Sequence, residues 1–385
     1  MMKHRIFSQR ASAWVVAACA SAALAACTGY KAPKPSTLTA NPASVDMQQG
    51  WSTRLPAKVS FPLNIQVVGN QVLVADDKGT VQAIDANSGA TVWQTHIGSG
   101  ISAGVGGDGQ TAAVVDDKNH LVAIRNGSVA WRIPMSARTF GAPLVAGGRI
   151  FVLTADRAIS AYDAGNGFRL WTQKPRTMEE RLVMGQSTLL TAAGGALLAG
   201  VSGRLVAFNP DNGMPLMQSE VATSRGTNEV ARMADLVGPG SRSGASLCAR
   251  TYLAGVGCTV LNPQGQALHW SKPSRGTTGL GGNANMVVGS DDDGNVVAWS
   301  RQDGQELWSN AVLRYRVLSA PTVVGNYTVV GDGQGYVHAL SNTDGQLRNR
   351  VLVSEKSAIT AAPVQVGNTA VVVSDTGVVA GIRLP

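Results

Sequence analysis

The sequence has few cysteines, few aromatic residues and no motif that binds a metal. Aromatic residues make up 5% of its 385 residues, and its four cysteines include no adjacent pair and no Cys-x-x-Cys. The five histidines are scattered, with no two at the spacing of metal ligands: His4, His96, His120, His269 and His338. A metal site built from these residues is therefore not expected, and the sequence predicts no cofactor.

A strong charge of one sign is also lacking once the N-terminus is set aside. The sequence has 32 Lys and Arg against 24 Asp and Glu, and removal of a segment with Lys3, Arg5 and Arg10 leaves 29 against 24, a net charge of +5. No basic run or stripe stands out. Nucleic acid is therefore not expected as a partner.

Helical periodicity is almost absent after the N-terminus, whereas glycine is abundant, with 45 residues. Short runs rich in Val and Ile alternate with turn residues, as in residues 318–353. This composition is typical of an all-β protein built from short strands. Alternation within the strands is expected to place Val and Ile between packed sheets.

An internal repeat organises the chain. Residues 289–308, GSDDDGNVVAWSRQDGQELW, contain two strands, a turn that ends in Gly304, and Trp308 four residues later. The order recurs, and its eight outer positions are Trp51, Trp93, Trp131, Trp171, Met217, Trp270, Trp308 and Asn349. They are 38 to 53 residues apart, close to the roughly 40 to 50 residues of a four-stranded blade. The sequence thus predicts an all-β fold, an eight-bladed β-propeller with four-stranded blades.

The two ends of the chain each contribute part of one blade. The last repeat, residues 358–385, has three strands, and the outer-type strand at residues 50–55 precedes any complete blade. We therefore expect the strand of Trp51 to close the last blade, which removes exposed sheet edges.

The N-terminus has the pattern of a lipoprotein signal peptide. A basic start is followed by an apolar run that ends in Leu24-Ala25-Ala26-Cys27, which resembles a lipobox. We expect residues 1–26 to be removed and Cys27 to carry the lipid, with ordinary cleavage near an Ala-x-Ala site as the alternative. Residues 27–47 are predicted to be a flexible tether and residues 48–385 the propeller. Thr28 is not the aspartate that holds such lipoproteins in the inner membrane, which favours the outer membrane.

Three segments match functional motifs only locally. Residues 100–104 match a nucleophile elbow and residues 104–109 a dinucleotide loop, but neither precedes a helix, which both motifs need. We expect both to lie in the inner strand and first turn of the second repeat. Residues 290–294 look calcium-like, but Ser300 stands where an EF-hand loop needs glutamate, so a hairpin turn is expected.

Cys248 and Cys258 are the cysteines that remain beside Cys27 after the signal is removed. A hairpin that turns near residues 253–255 would place them opposite each other on neighbouring strands. They are a candidate disulfide in an oxidising compartment. The alternative is two reduced side chains packed between blades, because adjacent-strand disulfides are geometrically demanding.

Two irregular segments interrupt the repeat, at residues 176–187 and 222–244. Both precede the innermost strand of a blade, so they are expected to emerge side by side on one face of the ring. Loops this long in a compact repeat protein are usually functional or disordered.

Together with the lipobox and the repeats, residues 226–235, GTNEVARMAD, resemble the BamB family, lipoproteins of the outer-membrane β-barrel assembly machinery. The resemblance implies a non-enzymatic scaffold, lipid-anchored in the outer membrane and facing the periplasm, that assists the folding and insertion of outer-membrane proteins. It implies binding to the POTRA domains of BamA within the assembly complex, with nascent outer-membrane proteins as further candidate partners. The matching partner-binding residues are Leu182, Val183, Met184, Glu229, Arg232 and Asp235.

The chain departs from the family pattern at two positions. Met184 stands where relatives have arginine, and Val237 stands where a second acid follows Asp235. Two other functions stay open: a scaffold for a different envelope partner, and a quinone-dependent dehydrogenase with similar repeats. Such dehydrogenases use an adjacent cysteine pair and a calcium cluster, and the sequence has neither pattern.

Overall fold

The computed structural model describes residues 33–174, 188–201, 203–221, 235–262 and 265–385. The chain divides into two compact units, Met1–Pro35 and Ser36–Pro385, and the fold below is that of the second unit. In the described residues of this unit, all regular structure is β-strand. Within the described ranges, no helix is long and apolar enough to cross a membrane.

Within the described ranges, thirty-two strands form eight four-stranded antiparallel sheets, which are the blades. Blade 1 consists of β2 (Gln66–Val68), β3 (Gln71–Ala75), β4 (Thr80–Asp85) and β5 (Thr91–His96). Blade 2 consists of β6 (Ile101–Gly107), β7 (Thr111–Asp116), β8 (His120–Arg125) and β9 (Ser128–Pro134). Blade 3 consists of β10 (Leu144–Ala146), β11 (Arg149–Leu153), β12 (Ile159–Asp163) and β13 (Arg169–Gln173). Blade 4 consists of β14 (Leu190–Ala193), β15 (Ala196–Val201), β16 (Arg204–Phe208) and β17 (Pro215–Glu220).

The second half of the ring repeats this order. Blade 5 consists of β18 (Leu236–Ser243), β19 (Ser246–Thr251), β20 (Gly255–Asn262) and β21 (Gly265–Pro273). Blade 6 consists of β22 (Gly281–Gly282), β23 (Met286–Ser290), β24 (Val296–Ser300) and β25 (Glu306–Asn310). Blade 7 consists of β26 (Thr322–Val324), β27 (Tyr327–Gly331), β28 (Tyr336–Ser341) and β29 (Leu347–Leu352). Blade 8 consists of β30 (Val364–Val366), β31 (Thr369–Val373), β32 (Val378–Arg383) and the N-terminal β1 (Gln48–Arg54).

The ring closes where β1 pairs with β32, as the sequence predicts. The two strands are antiparallel, with Trp51 opposite Gly381 and Arg54 opposite Val378. The eight-bladed β-propeller and its closure by the N-terminal strand are thus confirmed. Closure pairs both chain ends and leaves no unfinished blade.

The core consists of the seams between blades. In β3, Val72 and Val74 pack against blade 8, whereas Leu73 and Ala75 pack against blade 2. This is the period-two alternation of a strand buried on both faces. Each blade is therefore held by its two neighbours, which explains how 350 residues form one ring from short strands.

Strand direction gives the ring two different faces. Turns between first and second strands and between third and fourth strands lie on one, which we call the turn face. Turns between second and third strands, and the connections from each blade to the next, lie on the other, which we call the connector face. The first irregular segment connects blade 3 to blade 4, and the part of the second segment before Leu236 connects blade 4 to blade 5. Residues 236–243 of the second segment form β18, so the prediction that the irregular stretch runs to residue 244 is wrong. The described residues at the ends of both connections lie on the connector face.

Candidate partner-binding face

Of the predicted partner-binding residues, only Asp235 lies within the described residues. Leu182, Val183 and Met184 lie in the undescribed range 175–187, and Glu229 and Arg232 lie in 222–234. Cys27, the predicted lipidation site, also lies outside the described residues. The geometry of the site is therefore given by the chain ends that flank the two segments.

The downstream ends of the two segments lie side by side on the connector face. Thr188 forms an isolated antiparallel bridge with Val237. The backbone N–H of Leu189 donates to the carbonyl of Leu236 at 3.1 Å. The two segments thus return to the ring at neighbouring positions, the first into blade 4 and the second into blade 5.

Asp235 is held by an ion pair that spans blade 4. Its carboxylate lies 3.5 Å from Nη2 of Arg157, which belongs to the connector-face turn between β11 and β12 of blade 3. Burial raises the pKa of Asp235, and the positive charge of Arg157 opposes that rise. Asp235 therefore joins the start of blade 5 to blade 3, and its charge is already balanced within the protein.

The two residues after Asp235 anchor the segment in the core. Leu236 is fully buried in the seam of blades 4 and 5, and a Cβ added to Gly200 would lie 2.6 Å from the Cβ of Leu236. Val237 is also buried. At this position, where the family resemblance places an acid, the chain buries an apolar side chain, which needs no charged partner.

The candidate disulfide residues lie away from this face. Cys248 and Cys258 stand directly opposite each other on β19 and β20, and the structure joins them by a disulfide. Both are buried, and Nη1 of Arg301 lies 3.2 Å from Sγ of Cys248. The bond cross-links two strands of blade 5 and presents no surface to a partner.

The segments with local motif matches are ordinary parts of blades. Residues 101–107 form β6, the innermost strand of blade 2, and the Ser102 hydroxyl donates to the carbonyl of Asp116 at 2.9 Å. Residues 291–295 form the turn between β23 and β24, where Asp293 pairs with Arg314 and Asp292 with Arg275. Both placements agree with the sequence predictions. Among the described residues, no three His, Cys, Asp or Glu side chains are grouped to hold a metal ion.

Sequence reasoning missed Arg157 as part of this face. It has a positive φ of 60° in a tight turn, and its partner Asp235 lies two blades further along the chain. Neither residue shows a local pattern that indicates the contact. The only usable signal is that both stand where a strand begins or ends on the connector face.

Comparisons with known proteins agree with this architecture. The family model described as outer membrane protein assembly factor BamB matches residues 48–96 and 77–310. The BamB of Burkholderia pseudomallei is 37% identical over 373 residues, which cover 95% of this chain and 97% of that protein. The BamB of Bordetella pertussis is 29% identical over 323 residues, 83% of each chain.

Solved structures resemble the ring as a whole. The crystal structure of BamB from Moraxella catarrhalis has a TM-score of 0.77 and 25% identity, covering 88% of this chain and all of that one. A quinohemoprotein alcohol dehydrogenase from Pseudomonas putida has a TM-score of 0.64 at 13% identity, covering 91% of this chain and 78% of that one, which shows a shared fold alone. By its sequence, this chain belongs to the BamB family of outer membrane protein assembly factors.

Proposed function

We propose that this chain is a non-enzymatic scaffold of the outer-membrane β-barrel assembly complex. It would bind the POTRA domains of BamA through its connector face and assist the folding and insertion of outer-membrane proteins. A lipid on Cys27 would anchor it in the outer membrane, facing the periplasm. The observation that carries the proposal is that the two irregular segments end next to each other, where Thr188 pairs with Val237.

The ring supports such a role because it offers a preformed platform. Leu236 and Val237 are buried, and Asp235 is paired with Arg157, so the end of the second segment is held by the core. A partner that binds there does not have to order that end of the segment, which lowers the entropic cost of association.

The composition of the two segments suits a transient protein interface. Leu182, Val183 and Met184 are apolar, whereas Glu229 and Arg232 supply charge. Buried apolar anchors carry most of the energy in such interfaces, with charge at the rim. Addition of an extended segment to the edge of a POTRA sheet would rely on backbone hydrogen bonds. This mode tolerates Met184 and Val237 in place of the family's charged residues.

The test is capture of BamA from detergent-solubilised outer membrane, followed by mass spectrometry. We expect Val183→Glu to abolish capture of BamA and to leave the melting temperature unchanged. The matched control is Glu355→Lys, which reverses an exposed charge on the connector face near blade 8. Unchanged capture by Val183→Glu, or equal loss in the control, would remove the two segments from the binding site.

Capture of a different envelope protein by the wild-type chain, with no BamA, would instead favour a scaffold for another partner. A quinone-dependent dehydrogenase is disfavoured because the sequence has no adjacent cysteine pair.

A further inference from the structure

Residues 36–47, which we call the strap, lie along the outer edge of blade 7. The strap starts at the connector face, where Ser36 contacts the connection between blades 6 and 7. It ends at the turn face, where Ser44 and Val45 contact the first residues of β29. The chain therefore crosses from one face of the ring to the other before β1 begins.

The middle of the strap covers the edge of β29. The N–H of Ser44 donates to the carbonyl of Arg348 at 2.9 Å. The side-chain amide of Asn41 donates to the carbonyl of Arg350 at 3.2 Å, and the N–H of Arg350 donates back to Asn41 Oδ1 at 3.2 Å. The strap thus satisfies backbone groups that an edge strand otherwise exposes.

The end of the strap lies where other blades have the turn between their third and fourth strands. Blade 8 lacks this turn because its fourth strand is the N-terminal β1. In five seams a tryptophan indole donates to a carbonyl just after the third strand of the next blade, as Trp308 does to Asn342 at 2.8 Å. Blade 7 has Asn349 instead, and its amide donates to the carbonyl of Val45 at 2.8 Å. Met47 is buried in the same seam. The strap is therefore part of the seam between blades 7 and 8.

The beginning of the strap is held by a buried ion pair. Ser36 donates from its N–H to the carbonyl of Arg314 and from its hydroxyl to that of Val312, both at 2.9 Å. Its carbonyl accepts from Nη1 of Arg316 at 3.0 Å. Arg316 in turn lies 2.7 Å from the buried Asp332. Leu38 packs on the apolar cluster beneath, which includes Leu313.

We propose that the strap turns the connector face of the ring towards the lipid surface, because it fixes the point where the anchored end of the chain leaves the ring. This rests on the proposed lipidation of Cys27. Nine residue steps separate Cys27 from Ser36, a reach of at most about 30 Å at about 3.5 Å per residue. Without the strap, the chain would leave from Gln48 on the turn face, and 21 steps would reach about 70 Å. The strap thus changes the face from which the anchored chain leaves the ring, and it shortens the free chain between Cys27 and the ring.

The same geometry deepens the proposed function. The described ends of the two irregular segments, at Thr188 and Asp235, and the start of the strap share the connector face. The lipid anchor and the partner-binding segments would therefore act on one side of the ring, and the strap would keep that side near membrane-embedded BamA.

The test measures the distance from each face to a membrane. The full-length lipoprotein is reconstituted into vesicles of phosphatidylethanolamine and phosphatidylglycerol that carry an acceptor dye. A donor dye is placed at Val317→Cys on the connector face or at Thr343→Cys on the turn face of the same blade, both exposed. Because the faces are separated by the length of a six-residue strand, about 20 Å, we expect transfer from position 317 to exceed that from 343 at least twofold.

The strap is then released by Ser36→Pro and Leu38→Ser at its start together with Asn41→Ala and Ser44→Pro in its middle. These changes remove the bonds of Ser36 to the connection between blades 6 and 7 and the packing of Leu38. They also remove the bonds of Asn41 and Ser44 to β29. We expect the difference between the two positions to disappear while the ring stays folded, as judged by its melting temperature. Equal energy transfer from positions 317 and 343 in the wild-type chain overturns the strap proposal but not the proposed anchoring. The same holds if the folded strap variant keeps the wild-type difference between the two positions. If the wild-type chain does not float with the vesicles, the proposed anchoring fails, and the strap proposal fails with it.

Discussion

The indole of Trp51 lies against Gly89, so that a Cβ added to this glycine would be 2.5 Å from the ring. The same indole donates to the carbonyl of Ala86 at 2.8 Å. Gly89 lies in the turn of blade 1 and stands four residues before Trp93, which is the outer tryptophan of that blade. In the Gly-x-x-x-Trp motif, the glycine thus contacts the tryptophan of the preceding blade, and the blade's own outer tryptophan stands four residues later.

This contact predicts that Gly89→Ala destabilises the ring more than an alanine at another turn glycine. Gly89 and Gly69 both have a positive φ, of 75° and 59°, so alanine is strained by about 1 kcal/mol at either. Gly69 has open space around its Cα, whereas Gly89 contacts Trp51. Overpacking should add about 1–3 kcal/mol at position 89 alone. Thermal unfolding of the two variants measures the difference, and equal melting temperatures would refute the role of the contact.

The periodic contact explains why the blade count could be predicted from the sequence. Trp131 lies on Gly167, Trp171 on Gly213, and Trp308 on Gly345, so the same pair recurs from blade to blade. Turn glycines and outer tryptophans are local features, and their order survives in every blade that has a turn of this type.

The two outer positions without tryptophan have structural reasons. Asn349 faces blade 8, where the third and fourth strands come from opposite ends of the chain and the strap occupies the place of a turn. Met217 faces blade 5, where β20 and β21 pair as far as Asn262 opposite Gly265, so the hairpin is longer than in other blades. A tryptophan at either position would lack the usual turn glycine.

The strap could not be predicted from its sequence. Residues 36–47 have no strand periodicity, and their bonds join single residues such as Asn41 to β29 more than 300 positions away. The predicted tether boundary at residue 47 remains a prediction, but the strap contacts blade 7 from Ser36 onward. The ion pair of Arg157 with Asp235 escaped prediction for the same reason, since it joins residues from different blades.

The buried pair of His338 and Asp332 predicts loss of stability in mild acid. Burial lowers the pKa of His338, and the nearby Arg316 and Arg350 lower it further, although Asp332 opposes this. A histidine whose folded-state pKa is depressed supports stability above its unfolded value of about 6.5, and that support is lost as the pH falls. The pKa of Asp332 is also lowered, which extends the loss below about pH 4.

The measurement is the free energy of unfolding between pH 8 and pH 5. We expect it to fall in the wild-type chain below about pH 6.5, and to fall less in His338→Gln, which keeps a polar side chain but does not titrate. An identical slope in both would mean that His338 does not contribute. Because Arg316 also binds Ser36, hydrogen exchange at the Ser36 amide, which donates to the carbonyl of Arg314, should rise with the same acid transition.

The cysteines predict a count of free thiols that tests two proposals together. Of the four cysteines, Cys19 is removed with the predicted signal peptide, Cys27 would be blocked by lipid, and Cys248 is bonded to Cys258. The denatured, unreduced mature chain should therefore have no free thiol, and reduction should release two. One thiol before reduction would show an unmodified Cys27, whereas two would show a lipidated chain with the disulfide open.

The ion pair of Asp235 with Arg157 predicts that a residue of blade 3 controls partner capture. Since Arg157 holds the carboxylate at the end of the second segment, Arg157→Gln should lower BamA capture about as much as Asp235→Asn. If the ion pair is the contact of Arg157 that affects capture, the double variant should bind no worse than either single variant. The interaction energy between two residues of an ion pair is usually about 0.5 kcal/mol or more. A double-mutant cycle on the free energy of unfolding measures this interaction energy.

The matched control is the ion pair of Arg149 with Asp211, at 2.5 Å, which joins blades 3 and 4 on the turn face. Arg149→Gln and Asp211→Asn should leave BamA capture unchanged, since that pair lies on the other side of the ring. If Asp235→Asn abolishes capture and Arg157→Gln does not, Asp235 contacts the partner directly and Arg157 does not position it. If neither change affects capture, the pair only fastens the segment to the ring. The partner surface then lies in the two segments before Thr188 and Asp235.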